Sequence, residues 1–160
     1  MPNTNAPFGA VAVGPILCAN VYPKATNAAI YPGDFVKLTA AGTAAVATAG
    51  DVELLGVALG YAAASAAEVL VADDPDQQYY VQDSGSGGTL TASAVGNNVD
   101  LVATAGNATY LRSKHAASSV ATSATAQLRI LDKHPADEWG KYVRLRVMIN
   151  EHTLRKTAGV

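Results

Sequence analysis

The chain has 160 residues, a net charge of −2 and a hydrophobic share of 49%, enough for one core but short for two independent ones. That share rests on 32 alanines, 17 valines and 13 leucines against 10 aromatic residues, a β-leaning mix that buries a thin core at about 25 cal/mol per Å². The lone Cys18 excludes an internal disulfide framework and a multi-cysteine zinc site. No basic and then apolar leader is seen, and no apolar run approaches the roughly 20 residues of a spanning helix, so neither secretion nor a membrane partner is expected.

In chain order, residues 1–20 show neither a helical nor a strand period. Pro2, Pro7, Gly9, Gly14 and Pro15 punctuate them and no side chain is charged. They are expected to form an extended N-terminal arm, mobile in free solution and dispensable for folding. Residues 21–160 are expected to form a single β-barrel or sandwich domain. Its first strands fall near Val21-Tyr22 and at Asp34-Phe35-Val36-Lys37-Leu38, after the turn signal Tyr31-Pro32-Gly33. Leu55, Val57 and Leu59 alternate with Gly56, Ala58 and Gly60, which predicts a strand with one packed face and a small face open to a close neighbour. Ala62–Ala67 has helical propensity. Glu68–Val71 and Gln78–Gln82 flank the Asp73-Asp74-Pro75-Asp76 turn as strands of a hairpin or corner. Ser84-Gly85-Ser86-Gly87-Gly88 reads as a flexible loop.

Val99–Ala103 and Thr109–Lys114 are the next predicted strands, joined by a Gly106-Asn107 turn. Ala116–Ala126 again has helical propensity, diluted by Ser and Thr, and Leu128–Leu131 is a short apolar strand. Asp137-Glu138-Trp139-Gly140 turns the chain into the clearest strand. There Val143, Leu145, Val147 and Ile149 form one face and Tyr142, Arg144, Arg146 and Met148 the other. Short strands between Gly- and Pro-rich turns define an all-β class, a small barrel or sandwich with at most short helices.

No set of residues carries a recognisable chemistry. Asp83-Ser84-Gly85-Ser86-Gly87-Gly88 departs from a serine-nucleophile loop, because a Ser-Gly insertion separates the serine from the glycine pair. The same glycines lack the Gly-Lys-Ser/Thr ending of a phosphate loop. His115, His134 and His152 are too far apart for a local zinc pair. Asp73, Asp74 and Asp76 do not alternate around a glycine as a calcium loop requires. Arg144 and Arg146 beside Tyr142 could clamp single-stranded nucleic acid, but no second basic–aromatic strand accompanies them, and a solvated face or salt bridges to a neighbouring subunit are expected instead. The expectation is a structural or interaction protein: not an enzyme, with no catalytic residue, no metal, no cofactor and no nucleic-acid partner.

The order of phrases in the second half carries a resemblance. Gln78-Tyr79-Tyr80-Val81-Gln82-Asp83 is followed by Val95-Gly96-Asn97-Asn98-Val99-Asp100-Leu101-Val102-Ala103, then Ala105-Gly106-Asn107, Ala126-Gln127-Leu128-Arg129-Ile130-Leu131 and a last strand ending Ile149-Asn150-Glu151-His152. Gly33–Leu38 and Leu55–Leu59 extend it toward the start. The chain resembles the head decoration, or cement, proteins of tailed bacteriophages over roughly residues 28–155. That resemblance implies a virion protein, made in the host cytoplasm, which binds the outer capsid lattice and stabilises it. The major capsid protein is the implied partner, and self-association as a homotrimer is favoured with a dimer possible. Residues 1–100 carry 2 basic and 9 acidic groups and residues 101–160 carry 9 and 4, a polarity that would set register between neighbours. Capsid or subunit contacts are expected at Pro7, Phe8 and Ile16, the arm's anchors, and at Trp139, Arg144 and Arg146. The alternative is a carbohydrate- or receptor-binding β-domain of a virion fibre, which would want aromatics on exposed loops, whereas Tyr79, Tyr80, Tyr110 and Tyr142 mostly fall in predicted strands.

Overall fold

The structure, a computed structural model, describes residues 3–26 and 28–155. The extreme ends of both predicted segments, residues 1–2 and 156–160, lie outside the described residues. Twelve strands follow one another among the described residues: β1 (Val11–Ala12), β2 (Ala19–Pro23), β3 (Phe35–Leu38), β4 (Ala44–Val46), β5 (Gly56–Ala58), β6 (Glu68–Ala72), β7 (Gln78–Gln82), β8 (Asn98–Val99), β9 (Leu101–Val102), β10 (Ala116–Ala117), β11 (Leu128–Lys133) and β12 (Arg144–Ile149). Single 3₁₀ turns at Ala92–Ala94 and Thr153–Arg155 are the helical elements among the described residues. The all-β expectation holds: two five-stranded sheets, β1-β7-β12-β11-β8 and β2-β6-β5-β3-β4, pack as a small sandwich, with β9-β10 as a short third ladder.

The pattern of β12 is the pattern read from the sequence. Leu145, Val147 and Ile149 point into the core, with Val143 just before them, and Arg144, Arg146 and Met148 face outward. They meet Tyr79, Val81, Leu128 and Ile130 of their own sheet and Phe35, Leu54 and Val57 from the other layer. Phe35 and Tyr79 touch edge to face at 6.0 Å, a preferred aromatic geometry. A second cluster lies on the opposite face of the β2–β4 sheet, where Ile30, Val36, Leu55, Ala58, Val69 and Val71 pack together. That sheet curls until its two ends meet: Lys24 bridges Ala44, and the Ala25 N–H donates to the Ala44 carbonyl. Strand β5 is therefore buried on both faces, which corrects the expectation of one packed face.

Four local expectations are overturned. Ala62–Ala67 is not helical. Ile30 and Ala62 exchange backbone hydrogen bonds and the Ala67 carbonyl accepts from Lys24, and six residues are too few to hold a helix against such pairing. Ala116–Ala126 gives its first two residues to β10 and its remainder to turns, where Ser118 and Thr122 side chains bond backbone N–H groups in place of a helix. Val99–Ala103 breaks into β8 and β9, which belong to different ladders. Thr109–Lys114 is a turn rather than a strand.

The largest correction concerns the arm. Residues 3–20 do not hang free. Val11 and Ala12 pair with Tyr80 and Tyr79, so β1 extends the first sheet. The Ala10 N–H donates to the Gly33 carbonyl and ties the same segment to the second layer. The Gln82 side chain accepts from the Ala6 N–H and donates to the Thr4 carbonyl. A prolyl, chargeless sequence looked unable to order itself, and alone it could not; β7 supplies the backbone partners that it lacks.

Candidate interaction surface

The segment after β9 carries Tyr110, the most exposed large hydrophobic side chain among the described residues. Asn107 and Arg112 exchange backbone bonds, and Asn107 Oδ1 accepts from the N–H groups of Thr109 and Tyr110. The loop closed in this way holds Tyr110 at 78% exposure and Leu111 at 43%. Leu111 sits at φ 48°, a left-handed conformation that is unfavourable for a branched L residue by about 1–2 kcal/mol. The Ser113 N–H donates to the Pro32 carbonyl and anchors the loop to the body. Beside it runs a shallow groove lined by Phe8, Val11, Ile16, Leu59, Tyr110 and Leu111 among others.

The six residues singled out in the sequence fall into three groups. Pro7, Phe8 and Ile16 come together at this surface, Pro7 beside Tyr110 and Lys114 and the other two in the groove. They are fixed there by the body of the protein itself, not released to search for a partner. Arg144 meets Phe8 around a separate recess with Asn3, Gln82 and Tyr142, but its guanidinium is already held by Asp137, with Nη2 2.5 Å from Oδ1. Burial raises the Asp137 carboxyl, yet the hydrogen bonds and charge of Arg144 outweigh it and hold the group below its ordinary range. Arg146 lies 3.8 Å from Asp132, and Trp139 is half-buried against the main core; both stand apart from the groove. Tyr142 precedes β12 at φ 59° and lays its ring over Gly85, so it lies outside the strand that carries the two arginines.

Sequence reasoning missed Tyr110 and Leu111 by extending a strand through them. The signal available was Gly106-Asn107, because an Asn side chain that caps N–H groups two and three residues ahead makes a turn longer than a hairpin reversal. The fibre-type expectation shifts with it, since Tyr110 and Tyr142 lie outside strands and Tyr31 and Tyr61 form a tilted pair with centroids 5.4 Å apart.

Several titratable groups are tied into the fold. Asp73 Oδ2 accepts from the Tyr22 hydroxyl at 2.5 Å and from Asn20 Nδ2 at 2.9 Å, Asp74 caps the Asp76 N–H, and Asp76 pairs with Arg155. His115 is buried, and its Nδ1 accepts from the Phe35 N–H at 3.1 Å. Its proton therefore sits on Nε2, 3.7 Å from Asp34 Oδ1. His152 is also buried and accepts from the Leu154 N–H. Burial pushes the pKa of both imidazoles down; Asp34 opposes this at His115, while Arg155 adds to it at His152 against the three aspartates.

A depressed folded-state pKa means that the folded protein resists protonation while the unfolded chain takes it up near pH 6.5. Stability contributed this way is complete above the unfolded value and falls as pH drops toward the folded one. Urea midpoints are expected to decline from about pH 7 to about pH 5, a window in which Asp137 stays ionised. His115→Gln with His152→Gln should flatten the slope. A slope unchanged in the double variant would assign it to other groups.

What the geometry defines is a class: a small all-β sandwich that presents an apolar loop and groove. Comparison with protein-family models, curated proteins and solved structures found no match for the chain. No helix among the described residues is long and apolar enough to cross a membrane.

Proposed function

We propose that this chain is a structural virion protein that binds the outside of an assembled tailed-phage capsid and stabilises the lattice. The resemblance of its strand-and-turn phrases to head decoration proteins supports that reading. The observation that carries it is the Tyr110–Leu111 loop, where a left-handed leucine and a tyrosine are held outward beside Phe8 and Ile16. Backbone strain that keeps apolar groups in solvent finds its return in a contact. On this reading the major capsid protein covers the groove, Tyr110 is the central anchor, and no reaction is catalysed.

The test is occupancy on purified, expanded, undecorated capsids. Tyr110→Asp is expected to lower affinity on the order of tenfold or more, as loss of a central aromatic anchor does. Leu111→Gly removes the apolar side chain and relieves the left-handed strain, so it should weaken binding while leaving or raising the melting temperature. Full occupancy by both variants, or recovery of the protein with tails and not heads, would overturn the proposal. Tyr110 on a loop also suits a glycan-stacking site. Binding to immobilised glycans with no capsid binding would favour the fibre-type alternative.

A further inference from the structure

The sheet edges other than β2 are strands of two or three residues among the described residues, each with an outward hydrogen bond on it or beside it. Just before β1 the Ala10 N–H donates to Gly33, the Ala44 carbonyl of β4 accepts from Ala25, and Asn98 of β8 exchanges two bonds with Thr122. The Gln127 side chain caps β9 at the Leu101 N–H, and Ser84 donates to β10 at the Ala117 carbonyl. Strand β2 is the edge left open. It is five residues long, four of them are exposed, and Ala19-Asn20-Val21-Tyr22-Pro23 carries no charge. Natural edges are usually guarded by a charge, a bulge or a cover, because a bare strand is a template for another.

The direction of its free groups follows from the flanking bonds. The Lys24 N–H donates to Ala67, and the Cys18 carbonyl accepts from Asp73. Those pairs lie at the two ends of the β2–β6 register, in which Asn20 faces Val71 and Tyr22 faces Val69. Antiparallel bonding alternates along a strand, so Asn20 and Tyr22 bond inward to β6 while Ala19, Val21 and Pro23 turn their backbone groups outward. Pro23, which has no N–H to offer, stands where an edge strand tolerates proline.

We infer that the β2 edge pairs antiparallel with the β2 edge of a second copy about a two-fold axis at Asn20. In that register the N–H and carbonyl of Ala19 meet those of the second copy's Val21, and the reverse, so four hydrogen bonds use every outward donor of β2. A two-fold axis centred on Val21 would also make four bonds, with Ala19 set against Pro23, and the position of a cross-link at Asn20 separates the two registers. A second copy is the occupant that fits. The strand is neutral, so apposing it to itself brings no like charges together, and the other described edge strands, two or three residues long, are too short to receive it in a head-to-tail ring. Val21, 57% exposed, and its cross-strand neighbour Leu70, 42% exposed, continue across the axis onto the second Ala19. The two-fold pair is the dimer left open beside the homotrimer that the resemblance implied. Pairing at β2 does not depend on what the Tyr110 loop contacts.

Sedimentation equilibrium at micromolar concentration is expected to give twice the 16.3 kDa chain mass. Val21→Pro deletes an outward N–H without touching the β6 ladder, so it should give a folded monomer. Val21→Lys, which keeps the backbone and sets two charges near the axis, should do the same if the proline variant misfolds. In a Cys18→Ser background, Asn20→Cys should form an intermolecular disulfide on mild oxidation, because directly opposed residues at such a position lie about 4.5 Å apart, within disulfide reach. A dimer that survives Val21→Lys, a trimer, a monomer, or failure of Asn20→Cys to cross-link would each overturn the assignment.

Discussion

Gly56→Val is expected to abolish cooperative folding, and Gly56→Ala to lower the urea midpoint sharply. Gly56 opens β5 between β3 and β6, pairs with Val36, and is buried. A Cβ placed there would overlap the Ala72 carbonyl oxygen and press on the Val71 side chain. The obstacle is backbone of the neighbouring strand, so no rotamer change relieves it and β6 must move. Replacing glycine ordinarily gains about 0.4–1 kcal/mol by restricting the unfolded chain, while overpacking of a tight core costs about 1–3 kcal/mol and more where backbone shifts. The second term wins for alanine. For valine, two further methyl groups enter a sheet buried on both faces, and the loss approaches the roughly 5–15 kcal/mol that holds a whole domain. A Gly56→Val protein with a native melting temperature would show that β6 can slide, and that the two clusters are less rigidly joined than their shared strands imply.

Asp83→Ala should be nearly as damaging, although Asp83 lies at the start of a Ser/Gly loop. Its carboxylate is fully buried. One oxygen accepts from Ser119 Oγ at 2.5 Å and the other from the Tyr142 N–H at 2.8 Å, while its own N–H donates to the Val143 carbonyl. The group thus ties the end of β7 to the left-handed residue that leads into β12 and to the chain after β10. Hydrogen bonds to a charged acceptor contribute about 1.5–3 kcal/mol, and each buried donor left without a partner costs about 1–3 kcal/mol. A loss on the order of 3–4 kcal/mol is expected in urea unfolding. Asp83→Asn keeps an acceptor for one of the two donors and should lose less. Ser119→Ala should add little once Asp83 is gone, because the two act as a unit. Full additivity of the pair would contradict this arrangement.

The two variants mark where sequence legibility ends. The small face of the 55–60 stretch was readable as a place of close approach, and Gly56 is one. Yet its neighbours are buried on both sides only because the sheet curls back from Lys24 to Ala44, a long-range closure with no local period. Asp83 adjoins the Ser84–Gly88 loop in the sequence, and a buried carboxylate has no signature there until the donors that surround it, Ser119 and Tyr142, are brought near.

By itself the sequence determined the β class and the inward faces of the strongest strands, because alternation along β12 and the aliphatic run of β6 are local properties that survive any packing. It also carried the turn chemistry, in Gly and Asn residues whose preferences do not depend on neighbours. Only the tertiary structure decided that residues 3–20 belong to the sandwich, since their order comes from β7 and Gln82, more than sixty positions away. It decided equally that Thr109–Lys114 is a display loop and not a strand, because a strand exists only where another backbone accepts its hydrogen bonds. The same reason leaves β2 as the open edge: pairing is a property of two chain segments, and one sequence window contains only one of them.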